Sequence, residues 1–219
     1  EMQHIRQGDV TAEVLMSLAL VHIEELGMEK LSLRALAREA GVSQTAPYRH
    51  FPTKKCLLAA LATQGFKKLT EQVQVATSQP MSVEDRFIAM GCAYVQFALD
   101  NPTSYHLMFG AVVADFSEYN DLREASSASY AHVLEMLQEL MDVNQLDYDL
   151  AHLGGVVWSG VHGMASLLLN KANGGLPMDV PDMGPAAPDS PFAPIQSLLY
   201  VRQDIDGSLR MLFGSLLRA

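Results

Sequence analysis

Residues 33–58 read LRALAREAGVSQTAPYRHFPTKKCLL, and this stretch decides the fold. Leu33, Leu36, Ala37 and Ala40 recur at i, i+3, i+4 and i+7, which makes one apolar face of a short helix. Gly41 then supplies the positive φ that ends a helix without a side-chain clash. Val42 is placed to pin the turn to the core. Ser43 is placed to cap a second short helix by accepting from its free N–H groups. That helix would carry Gln44, Thr45, Ala46, Tyr48, Arg49 and His50, with Phe51 anchoring its far end. Two short helices joined by a turn containing Gly predict a helix-turn-helix, whose second helix enters the major groove of DNA.

Working outward, almost everything reads as helix and no alternating strand stands out, so the fold class is all-α. A first helix spans about residues 10–26, with Val14, Leu18 and Val21 on one face and Gly27 as its stop. After Pro52, Thr53 caps a long helix running to about residue 76. Ser82 opens the next, with Glu84 and Asp85 in its first turn, where negative charge suits the helix dipole. Asn101-Pro102 restarts the chain as a short helix holding Tyr105, Leu107, Met108 and Phe109. Further helices are expected over about 118–141 and 148–171. Residues 174–194 hold six of the ten prolines and three glycines, which predicts a loop. A last helix covers about 195–217.

The net charge is −10, which at first sight opposes DNA. Its distribution reverses that. Residues 1–70 carry nine Lys or Arg against seven Asp or Glu, and residues 71–219 carry six against eighteen. Phosphate binding follows local basic clusters. Arg34, Arg38, Arg49, Lys54 and Lys55 all fall within the helix-turn-helix stretch. No apolar run is long enough to span a bilayer, and no signal-peptide pattern opens the chain, so a cytoplasmic location is expected with no membrane partner. Cys56 and Cys92 sit in helical apolar patterns and read as core thiols.

The pieces SLRALAREAGVS, YRHF and KKCLL, after a helix ending at Leu26-Gly27, resemble the DNA-binding domain of TetR-type bacterial repressors over roughly residues 10–60. The resemblance implies a nine-helix plan. A helix-turn-helix domain would cover 1–55, and a helical ligand-binding and dimerisation domain 56–219. It also implies a homodimer through the last two helices. Base edges need short polar or bidentate side chains at the start of the recognition helix. Gln44, Thr45 and Arg49 fit that need, and Ala46 could meet a thymine methyl. Tyr48, His50, Thr53 and Lys54 stand where the family places phosphate contacts, and their donors suit phosphate oxygens. Arg34, Ser43 and Lys55 complete the phosphate set. Three positions depart from the family pattern: Ser32 where Thr is frequent, Thr45 where Gly is common, and Lys55 where an acidic residue is common. Pro47 lies within the recognition helix, where it removes only an early hydrogen bond.

Trp158 and His162–Gly163, with YHLMFG at 105–110, resemble the W…HG subgroup of TetR-like C-terminal domains. A small apolar or aromatic effector is expected near Trp158 and His162, with Phe97, Tyr105, Met108 and Phe109 as further lining. The expected function is a repressor that a ligand releases from an inverted-repeat operator in double-stranded DNA. Control by a protein partner is the alternative. An enzyme is disfavoured: no H-E-x-x-H, no G-x-S-x-G, no phosphate-binding glycine loop and no C-x-x-C is present, so no catalytic residue, metal or cofactor is expected.

Overall fold

The computed structural model describes residues 11–110, 118–169 and 193–217. Among these, nine α-helices appear: α1 (Ala12–Leu26), α2 (Leu33–Glu39), α3 (Lys54–Thr77), α4 (Val83–Asp100), α5 (Pro102–Phe109), α6 (Asn120–Asn144), α7 (Leu150–Leu169), α8 (Ala193–Gln203) and α9 (Ile205–Leu212). No described residue is in a strand. Two single 3-10 turns, Met28–Lys30 and Ala46–Arg49, complete the order. Most of the loop expected over 174–194 lies outside the described residues, as do residue 10 and the end of the helix expected over 148–171.

Side-chain caps set the helix starts. Thr11 accepts from the Val14 N–H, Ser32 from Ala35, Thr53 from Cys56 and Ser82 from Asp85, at 3.1–3.3 Å. Glu84 and Asp85 occupy the first turn of α4. Gly27 closes α1 at φ +85° and Gly41 follows α2 at φ +68°, a region that disfavours any side chain. At the end of α6, Gln145 adopts φ +50° while Leu146 N–H reaches back to the Met141 carbonyl at 2.9 Å. A glutamine held there is strained, so Gln145→Gly should raise stability by about 0.5–1 kcal/mol. A urea unfolding curve reads this directly, and a lower midpoint for the variant would contradict it.

The chain divides into two compact units. One comprises residues 1–67 and 103–127, the other 68–102 and 128–219. The functional boundary expected between residues 55 and 56 lies within the first. In that unit α1 packs on α2, and α2 on the second 3-10 turn, over Leu15, Leu36, Ala37, Phe51 and Leu57. In the other, α4 packs against α7 and α9 around Phe87, Phe97, Val157 and Leu209. Arg210 of α9 holds Asp85 at the start of α4 (2.8 Å) and Asp206 on its own helix (2.7 Å). These bonds depress the Asp85 carboxyl below its ordinary range, the Arg210 hydrogen bond contributing most and Ser82 next. Cys92 is half-buried, and burial with nearby Asp206 pushes its thiol up to about 11, so it stays protonated at neutral pH.

Three helical expectations need correction. The buried face of α1 is Leu15, Ala19 and His22, whereas Val14 and Val21 are 39% and 46% exposed. The run VLMSLALVHI is apolar nearly all round, so periodicity alone does not choose the phase. The choice follows His22, whose Nε2 pairs with the Lys30 carbonyl (3.3 Å) and whose Nδ1 faces Glu39 (3.7 Å). The last helix is two helices, because Asp204 caps α9 by accepting from the Gly207 N–H at 2.8 Å. The recognition helix is only the 3-10 turn Ala46–Arg49.

Candidate nucleic-acid interface

The recognition segment is built from its buried residues outward. Val42 N–H bonds the Ala37 carbonyl at 2.9 Å, which closes α2 and turns the chain. Ala46 N–H then reaches Ser43 O, Tyr48 N–H reaches Thr45 O, and His50 N–H reaches Pro47 O, at 3.0–3.2 Å. All three span three residues, the 3-10 pattern. Phe51 N–H closes on the Pro47 carbonyl at 2.9 Å. Ser43 does not cap this turn as expected. Its hydroxyl shares a 3.2 Å hydrogen bond with that of Thr45. Proline, lacking an N–H, sits at the start of the turn, where a donor is dispensable.

Ala46, Pro47 and Phe51 are buried and fix the turn against α2. Gln44, Thr45, Tyr48, Arg49 and His50 are left exposed on the other side. Ala46, at 8% exposure, belongs to the scaffold, so the thymine-methyl contact expected of it has no exposed group to make it. Arg34 and Arg38 are exposed on α2, and Ser43, Thr53 and Lys55 are exposed as well. His50 also lies close enough to the start of α1 to help lower the Glu13 carboxyl, after that residue's backbone hydrogen bond and Thr11. Lys54 is different. It is half-buried, and its ammonium donates to the Met28 carbonyl oxygen at 2.6 Å. Nothing in the sequence marks that contact, because its acceptor is backbone.

The residues expected around an effector are distributed over both compact units. Tyr105, Met108 and Phe109 belong to the first. There the Phe109 ring lies 4.9 Å from Tyr105 and 5.5 Å from Phe66. Met108 fills the space that the missing side chain of Gly65 leaves: a Cβ there would stand 2.6 Å from its sulfur. Phe97, Trp158 and His162 belong to the second. Phe97 is fully buried, while Trp158 is 41% exposed with its ring 5.3 Å from that of His162. His162 Nδ1 and the Tyr94 hydroxyl share a hydrogen bond of 3.0 Å, and burial holds the imidazole below its ordinary pKa. The inner face of α7 carries Val157 and Val161, which line a gap with Phe87, Ile88, Met90, Gly91, Leu209 and Phe213. At about 10 Å³ this gap is no larger than a single water requires.

Comparison with known proteins bears on the same segments. Residues 15–61 match bacterial regulatory proteins of the tetR family, and residues 87–184 match the tetracyclin repressor-like C-terminal domain. A solved structure of a protein of unknown function from Rhodococcus sp. RHA1 is 31% identical. It covers 93% of this chain and 96% of that one, with a TM-score of 0.69. The TetR family transcriptional regulator PfmR from Thermus thermophilus shares the fold at 17% identity, covering 88% and 96% with a TM-score of 0.57. AibR, solved in complex with isovaleryl coenzyme A and operator DNA, shares it at 14% identity, covering 91% and 96% with a TM-score of 0.60. In sequence, the chain is 26% identical over 96 residues to the HTH-type transcriptional regulator YobS of Bacillus subtilis, covering 44% of this chain and 50% of YobS. It is 31% identical over 98 residues to the nucleoid occlusion factor SlmA of Haemophilus influenzae, covering 41% and 45%. The chain thus spans about half the length of these relatives. The matches fall on both the exposed polar turn and the helical body, and the chain belongs to the TetR family of DNA-binding transcriptional regulators.

Proposed function

We propose that the protein is a repressor that binds an inverted-repeat operator as a homodimer and is released by a small apolar or aromatic molecule. One observation carries the reading: five polar side chains, from Gln44 to His50, stand exposed on a turn that Ala46, Pro47 and Phe51 hold to α2. Gln44, Thr45 and Arg49 read base edges. Arg34, Ser43, Tyr48, His50, Thr53 and Lys55 hold phosphates, and the start of α3 adds a helix N-terminus for one of them. The dimer forms through α7 and the final helices, which expose Val156, Leu167, Tyr200, Met211 and Leu212. Burying such side chains in a partner removes apolar surface from water. Release by a ligand is supported by AibR, whose structure holds both an acyl coenzyme A and operator DNA. In this chain the ligand site is placed beside Trp158 and His162. Binding shifts the equilibrium toward the state with weaker DNA affinity. The setting is the cytoplasm, and among the described residues no helix is long and apolar enough to cross a membrane.

Selection of duplexes from a random pool tests the reading. The enriched sequences should contain two half-sites about 10 base pairs apart, or a multiple of that. Gln44→Ala should relax preference at one base of each half-site, at a cost of about 1–3 kcal/mol, without changing affinity for unrelated DNA. A pool that shows no enrichment, or a Gln44→Ala variant with unchanged preference, would remove this assignment. Trp158 is the single tryptophan, so its emission reports effector binding.

A further inference from the structure

We infer that Lys54 is a positioning residue of the DNA-binding unit, not a phosphate contact: it ties the start of α3 to the turn just beyond α1. The inference rests on the DNA-binding reading above and deepens it.

The charges around Lys54 explain why its side chain turns inward. It is the first residue of α3 and Lys55 is the second, and no acidic residue lies in that first turn. Two cations at the positive end of a helix dipole are unfavourable. The last turn of α1 has the opposite defect. It holds Glu24 and Glu25, and no basic residue. Carbonyls at that end attract a cation that α1 itself does not supply. Lys54 supplies it, reaching across 26 residues of chain to the Met28 carbonyl in the 3-10 turn beyond Gly27. Its charge moves from the end of α3 where it is unfavourable to the end of α1 where it is favourable.

The consequence for DNA falls on the neighbours of Lys54 along the chain. Thr53 and Lys55, both exposed, and the free N–H groups of α3 are set in place by the bond to Met28. Phe51, two residues before Thr53, is the buried end of the recognition turn. Holding the start of α3 against the α1 corner therefore fixes the spacing between the phosphate-binding helix end and Gln44, Thr45 and Arg49. Lys55 is the residue whose charge remains available to phosphate.

Salt dependence separates the two roles, because each neutralised phosphate adds about 0.9 to the slope of log affinity against log salt. Lys54→Met, Lys54→Arg and Lys55→Met are compared with the unaltered protein on a duplex that it binds, well below the melting temperature. Lys54→Met should weaken binding by about tenfold with the slope unchanged. Lys54→Arg, which keeps the charge and the donors, should restore it. Lys55→Met should lower the slope by about 0.9. A slope that falls with Lys54→Met as it does with Lys55→Met overturns the inference, and so does an unchanged affinity. An unaltered protein that binds no duplex at any salt overturns the DNA-binding reading first, and this inference with it.

Discussion

Replacing Arg34 and Lys55 together by glutamate should abolish DNA binding while leaving the protein at least as stable. Both side chains are exposed, Arg34 in the first turn of α2 and Lys55 in the first turn of α3. Phosphate contacts supply most of the sequence-independent affinity. Losing two cations and gaining two anions should cost roughly 100-fold at moderate salt for every duplex alike. Stability should move the other way. Each substitution places a carboxylate at a helix N-terminus that currently carries a cation, a change worth about 0.3–1 kcal/mol per helix. Fluorescence anisotropy over a salt series, with a thermal melt of the same samples, reads both effects. Affinity within a few-fold of the unaltered protein would show that this face does not meet DNA. A falling melting temperature would show that the two cations hold the fold instead.

The second large effect is on stability. Phe97 is fully buried in α4, in the unit whose core α4 shares with α7 and α9. Truncation by Phe97→Ala loses the transfer energy of the ring and leaves a cavity, about 3–5 kcal/mol in all. For a chain of this size that lowers the melting temperature by roughly 10 °C. Phe97→Leu keeps most of the volume and should cost about 1.5 kcal/mol or less. Chemical unfolding of the three proteins measures the differences. A Phe97→Ala cost below about 1 kcal/mol would mean that the ring sits in a site able to accept water or to collapse. If Phe97 instead lines an effector chamber, the alanine variant should lose effector binding at temperatures where it is still folded.

The two effects concern different kinds of residue, and they were unequally legible. Thr11, Ser32, Thr53 and Ser82 announce helix starts because their hydroxyls satisfy N–H groups two or three residues on, a purely local bond. Gly27 and Gly41 announce stops for an equally local reason, the positive φ that each adopts. The exposure of Gln44, Thr45, Tyr48 and Arg49 follows from the same short-range logic, since Ala46, Pro47 and Phe51 are the apolar residues beside them. The Asp204 cap was legible in kind as well, because an aspartate three residues before Gly207 is a cap signal. The apolar run on both sides of it suggested one continuous helix.

What the sequence by itself determined, then, is an all-α chain with a basic, polar turn near its start and an acidic helical body, because caps, stops and charge are carried within a few residues. Only the tertiary structure decided which side of α1 is buried, that Ala46 supports the recognition turn instead of presenting its methyl, and that Lys54 spends its ammonium on the carbonyl of Met28. Each of these depends on a partner distant along the chain or on a backbone atom, and neither leaves a trace in residue type or spacing.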